Sequence, residues 1–237
     1  MWWGLDANVD ASRLWARLAD VSSLTHAPIV WIEAALVLAS ALALALGRAR
    51  AAAELVLLGS LHIAAVLEAS VRGTAMSSVE PLLVGLVLAA RVVGRAVARA
   101  RKEDQDWLAH ELSCGAVAAA FFMAAMAKLV TSGVGWISPS SQTLLVYEHR
   151  ESALAVLAPW LLAHPAMVGL GAAGTLMVEL SSPAFVVARL RRTWAACACL
   201  VFVGLALALG IVELTWMVLP LSLALSPPNH RGSPAER

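Results

Sequence analysis

Hydrophobic runs alternate with short polar breaks along most of the chain, and nearly every run is long enough to be a helix that crosses a bilayer. The pattern predicts spans at about Ile29 to Leu46, Ala51 to Ser70, Pro81 to Arg99, Leu112 to Thr131 and Ala166 to Ala188. Pro28 precedes the first run, and Pro81 holds a first-turn position that suits proline. A further apolar stretch, Trp194 to Leu225, exceeds the ~20 residues that one span needs, so it reads as one helix plus a partial one, broken near Gly210 or Pro220. Ser152 to Ala163 is apolar but too short to cross, and His164-Pro165 closes it, which fits an interfacial helix. The expected fold is therefore all-α: a polytopic membrane helix bundle of six or seven transmembrane helices plus a short interfacial helix.

Around this bundle (29–226) the sequence predicts two appendages. Residues 1–28 are not a signal peptide, because Asp6, Asp10, Arg13, Arg17 and Asp20 interrupt any apolar core. With Leu14, Trp15, Leu18 and Val21, they form an amphipathic stretch suited to the interface. Residues 227–237, rich in proline and polar side chains, read as a disordered tail.

Composition agrees with the bilayer as solvent. Apolar residues make up 60% of the 237 and charged ones 14%, against about 25% charged in soluble domains. A net charge of +1 without a basic face excludes a nucleic-acid partner as the expectation. Cys114, Cys197 and Cys199 form no CxxC and no zinc spacing, so neither a disulfide framework nor a metal is expected. Arg48 and Arg50, then Arg99, Arg101 and Lys102, then Arg189, Arg191 and Arg192 all follow odd-numbered spans. By the positive-inside rule these clusters face the cytoplasm, which puts the N-terminus and the loop Ser132 to Glu151 outside a cell membrane.

Ionisable residues inside a span are costly and raise a functional hypothesis. Arg91, Arg95 and Arg99 repeat every four residues and read as a snorkelling stripe near anionic lipid, with Glu54 interfacial nearby. Glu33 and Lys128 each fall roughly 6 Å inside the outer end of their helices, and His62 roughly 12 Å inside. Glu213 reaches the outer side if its helix starts near Trp194. These groups could share a polar pocket in the outer half of the bilayer. Each also has a plainer reading: Lys128 snorkelling, His62 packing, and Glu33 sitting at the interface beside Trp31. Glu179 falls nearer the midplane, about 10 Å or more below Lys128 by rise alone, so a direct pair between them is not expected. At that depth Glu179 must be protonated or hydrogen-bonded.

Two stretches carry a family resemblance. Phe121-Phe122-Met123-Ala124-Ala125-Met126-Ala127-Lys128-Leu129, followed by Trp136, resembles the signature helix of the vitamin K-dependent γ-carboxylase-like, or horizontally transferred transmembrane domain, family. Val178-Glu179-Leu180-Ser181-Ser182-Pro183, leading to Arg189, Arg191 and Arg192, resembles a later helix of that family. The likeness covers about Leu112 to Leu225. It implies that Lys128 is a base acting on a reduced, vitamin K-like quinone, with His62, Glu33 or Glu213 as proton partners. It also implies substrate contacts from Glu213, Glu179, Trp136 and Phe122. A helix end among Phe121, Phe122 and Met126 would desolvate the amine and favour its neutral form.

The chain departs from the family in lacking room for a large soluble substrate domain, and Val130 to Gly135 carries no acid after the lysine. Protein carboxylation is therefore not expected of this chain alone. The expectation is a membrane protein acting on a quinol or lipid, with membrane lipid and a separate soluble protein as partners. The alternatives are a non-catalytic membrane subunit or scaffold, suggested by the small residues Gly169, Gly171, Ala173 and Gly174, and a DoxX-like protein of quinone or thiol metabolism.

Overall fold

The computed structural model describes residues 52–60, 79–210 and 214–225, with single helical positions between 32 and 43. Residues 1–28 and 227–237, and with them both appendages, lie outside the described residues, as does most of the first predicted span. The described part is helical with no strand, as the hydrophobic pattern required. It forms two compact units, 1–96 and 97–237. Among the described residues, two helical segments are long and apolar enough to cross a bilayer, Gln105–Ile137 and Ala188–Leu209.

The first unit contains the helical residues 52–60 and most of helix α1 (Val79–Arg101). The Glu54 side chain is 1% exposed. Arg91 donates from Nε to its Oε1 at 2.7 Å, and Arg95 from Nη1 to its Oε2 at 2.5 Å. Two of the three arginines in the expected snorkelling stripe thus pair with Glu54, which is buried rather than interfacial, while Arg99 is exposed. A four-residue repeat puts both guanidinium groups over one buried carboxylate, and pairing it offsets a desolvation cost that lipid contact would not.

The second unit opens with a capped helix. α1 ends in a left-handed turn at Lys102, with the Glu103 amide closing back to the Ala98 carbonyl at 2.9 Å. The Asp104 carboxylate then accepts from the amides of Asp106 and Trp107, starting α2 (Gln105–Ser132). After Ser132 the α-helix ends at Gly133, whose φ is 57°. The backbone tightens into a 3-10 turn (Gly133–Ile137), and Pro139 then begins α3 (Pro139–His149). The predicted outer loop is therefore largely helical. A short α4 (Ala158–Ala163) replaces the longer interfacial helix expected there.

α5 (Pro165–Leu180) stops well before the predicted Ala188. Pro183 cannot continue a helix, and the backbone before it is biased away from the helical region. A 3-10 turn (Ser182–Val186) follows, fixed by the Ser182 hydroxyl donating to the Ala118 carbonyl at 2.7 Å. α6 (Ala188–Leu209) ends at Gly210, which is left-handed with φ 68°. An added Cβ there would overlap the Ser152 side chain. α7 (Leu214–Leu225) follows and carries Pro220 inside it, so the long apolar stretch is two helices parted at Gly210.

Side-chain pairings set the register of the unit. Arg191 at the start of α6 meets Glu111 and His110 at the start of α2. Gly169 near the start of α5 lies so close to Ile137 and Pro139 that a Cβ would sit 3.0 Å from Pro139 Cγ. α5 therefore runs opposite to α2, and α6 runs alongside α2 in the same direction. Phe121 of α2 anchors the middle of the unit. Its ring meets Trp194 and Trp216 edge-on at 5.0 and 4.7 Å, the arrangement that aromatic quadrupoles favour. Val146, Ala155, Ala158, Val168 and Leu209 fill the end where α3, α4, α5 and α6 converge.

Arg191 departs from the expected cytoplasmic cluster. Arg189 and Arg192 are exposed, but Arg191 is 5% exposed and fully engaged. Its Nε donates to Phe185 O and its Nη2 to Val186 O and both Glu111 oxygens, while Nη1 faces His110 Nε2 at 3.0 Å. One guanidinium thereby ties the 3-10 turn to α2. Arg191→Lys keeps the charge but loses the planar fork, and is expected to cost about 2–3 kcal/mol. Thermal unfolding in detergent should show that loss, while Arg192→Lys leaves the transition unmoved.

Candidate functional site

The site is built on the buried stripe of α2, while Met123 and Val130 on its other sides are exposed. Phe121, Ala125 and Lys128 follow a spacing of four and three, so they share one stripe, and all are buried. Lys128 is 8% exposed. Its Nζ donates to Glu179 Oε1 of α5 in a close ion pair. The same ammonium lies 4.7 Å from the centre of the Trp136 ring, within cation–π range. Gln142 of α3 donates to the Trp136 carbonyl at 2.5 Å and so holds the turn that carries the indole.

The pair corrects the depth estimate made from the sequence. Lys128 lies nine positions before Ile137, because the 3-10 turn prolongs α2 beyond Thr131. Glu179 lies ten positions after Gly169, which packs against Ile137. Both side chains thus fall about 15 Å from one reference level, and they meet. The early end of α5 completes the correction: Glu179 sits in its last turn rather than in the middle of a long span.

Only half of the Glu179 carboxylate is used. Oε2 is buried and has no hydrogen-bond partner, although the residue is only 6% exposed. A buried carboxylate oxygen without a donor costs the desolvation of that atom, so it marks a position where a donor would be welcome. The backbone around it is itself fixed: Trp194 Nε1 donates to the neighbouring Val178 carbonyl at 3.0 Å.

The structure brings together Lys128, Glu179 and Trp136 out of the residues singled out from sequence. Phe122 is exposed, one position off the buried stripe. Glu33, His62 and Glu213 lie outside the described residues. Sequence reasoning missed Trp194 and Trp216, whose indoles frame Phe121. Tryptophans in apolar runs look like packing, and only the isolated Nε1 of Trp216 distinguishes it. Among the described residues no group of three His, Cys, Asp or Glu side chains could hold a metal. No known protein family, curated protein or solved structure matches this chain.

Removing one partner of a buried ion pair leaves an uncompensated charge, whereas replacing both with apolar or neutral groups does not. Lys128→Met is expected to lower stability by about 3 kcal/mol. Lys128→Met combined with Glu179→Gln is expected to recover at least half of that loss. Unfolding of the three proteins in one detergent measures this coupling directly.

Proposed function

We propose that this chain is a multi-pass protein of the cell membrane that binds a quinol, or a lipid with a similar hydroxyl-bearing head, at Lys128 and Glu179, with Lys128 as the base. The further spans expected between 29 and 70 belong to this proposal, as does an N-terminus outside the cell. Support comes first from the unused Glu179 oxygen: a buried acceptor beside an amine suits an O–H donor that arrives from the bilayer. Support comes also from the two stretches that resemble the γ-carboxylase-like family. Their most chemically loaded residues, Lys128 and Glu179, are partners here, with Trp136 over the amine.

The chemistry follows from the pair's proton count. Ammonium with carboxylate and amine with carboxylic acid hold the same number of protons, so the pair is neutral in either form. It can therefore accept one more proton from a bound hydroxyl. The O–H bond breaks, the proton joins the pair, and the oxygen left behind rests beside a site that has become net positive. Low dielectric strengthens that attraction. In the amine–carboxylic acid form Lys128 takes that proton and the Trp136 ring face meets the ammonium that results, while Phe121 and its aromatic neighbours line the inner side of the stripe. A separate soluble protein is the partner proposed with it.

A second reading, a packing subunit for another membrane protein, draws on α5. Gly171 and Gly174 are exposed and nothing lies within 4 Å of where their Cβ atoms would be, while Gly169 is used within the chain.

The test is purification in mild detergent, with mass spectrometry of co-purifying lipids and quinones. The wild type is expected to retain a quinone or hydroquinone, and Glu179→Gln at least tenfold less of it. Equal retention by both proteins, or none by the wild type together with no binding of added hydroquinone, would overturn the reading.

A further inference from the structure

Two side chains engage the Lys128 ammonium among the described residues, Glu179 in the ion pair and Trp136 by its ring face. They differ in burial. Glu179 is 6% exposed, close to the 8% of the lysine itself. Trp136 is half-buried, with its ring centre 4.7 Å from Nζ, so one part of the indole lies against the amine and another reaches the surface. The residues before it, Thr131 to Gly135, are all exposed. Burial therefore falls stepwise from the amine, through the indole, to the turn that carries it. The side of Trp136 is the side on which the amine comes nearest to its surroundings.

The turn is held firmly on one flank and loosely on the other. After Trp136, the chain packs on α5, where a Cβ added to Gly169 would stand 3.2 Å from the Ile137 carbonyl oxygen. Before Trp136, Gly133 has a φ of 57°, and nothing lies within 4 Å of a Cβ built at Gly133 or Gly135. Glycine takes the positive φ without strain. The Trp136 backbone is tied to α3 by a side-chain bond, from Gln142 Nε2 to its carbonyl oxygen at 2.5 Å. We propose that Trp136 is the entry residue of the Lys128 and Glu179 site: its indole closes the approach to the ammonium from the 3-10 turn, and Gln142 holds it closed. Short turns whose ends absorb backbone rotation are the usual carriers of such covers. Displacing the indole gives up the attraction of its ring face for the ammonium, and a donor arriving at the idle Glu179 Oε2 offsets that loss. The site then selects by size as well as by chemistry. This names the way into the site read above and rests on that reading for its ligand.

The chain's two lysines supply an internal reference, because Lys102 is exposed and Lys128 is buried. The detergent-purified full chain is treated at one pH with formaldehyde or with naphthaldehyde, each with cyanoborohydride. The two reagents modify amines by the same chemistry and differ in size. Peptide mass spectrometry gives the rate at Lys128 relative to Lys102. In the wild type, naphthaldehyde is expected to modify Lys128 about tenfold more slowly than Lys102, or slower still. Trp136→Ala is expected to raise the relative rate about tenfold for naphthaldehyde and less than about threefold for formaldehyde. Gln142→Ala keeps the indole but frees its turn, and is expected to give a rise of about three- to tenfold with the same size dependence. Equal acceleration with both reagents means that the basicity of the amine changed rather than its cover, and overturns the proposal. So does no acceleration with either, or wild-type Lys128 reacting with naphthaldehyde as fast as Lys102. Should Trp136→Ala fail to fold, Trp136→Leu is held to the same outcomes. No quinone enters this measurement, so the cover can fail while quinone retention stands, and the reverse.

Discussion

Charge held where water cannot reach it is the constraint on which the described structure turns. A lone ammonium or carboxylate in hydrocarbon is costly enough that it must find a partner, and the partner must come from another part of the chain. Glu54 draws in Arg91 and Arg95 within the first unit. In the second, Lys128 and Glu179 join α2 to α5, and Arg191 joins α6 and the preceding 3-10 turn to Glu111 of α2. Apolar packing alone gives helices little reason to prefer one register in lipid, because the tails are as apolar as leucine. The ionic contacts, with Gly169 against Pro139 and Phe121 among its indoles, supply that preference.

These contacts differ in how completely they are satisfied. Every part of the Arg191 fork has a partner, and it acts as a clamp. Both oxygens of Glu54 are taken. Glu179 alone among these acids keeps one oxygen idle inside the protein. A group that served only to neutralise Lys128 would do so as well with both oxygens engaged.

Much of the helix layout could be read in the sequence. The apolar run before Ser132 and a break near Gly210 or Pro220 came from patterning, while the weight placed on Lys128 came from the family resemblance. Depth was misjudged because rise arithmetic needs correct helix ends. The turn after Ser132 stays helical without a hydrophobic signal of its own, and Pro183 cuts α5 short within a run that looks continuous. The three arginines at 189, 191 and 192 look alike as a cluster, yet helical phase buries one and exposes two. Trp216 was invisible for a different reason. Nothing in a row of apolar letters shows whether an indole nitrogen has found an acceptor.

The distance in sequence between Lys128 and Glu179, 51 residues, also bears on how the protein is made. As α2 leaves the ribosome its lysine has no counter-ion, and an unpaired lysine within a span is costly. At roughly 5–20 residues per second the carboxylate follows some seconds later. During that interval the nascent chain holds the lysine without the carboxylate that pairs with it in the folded protein.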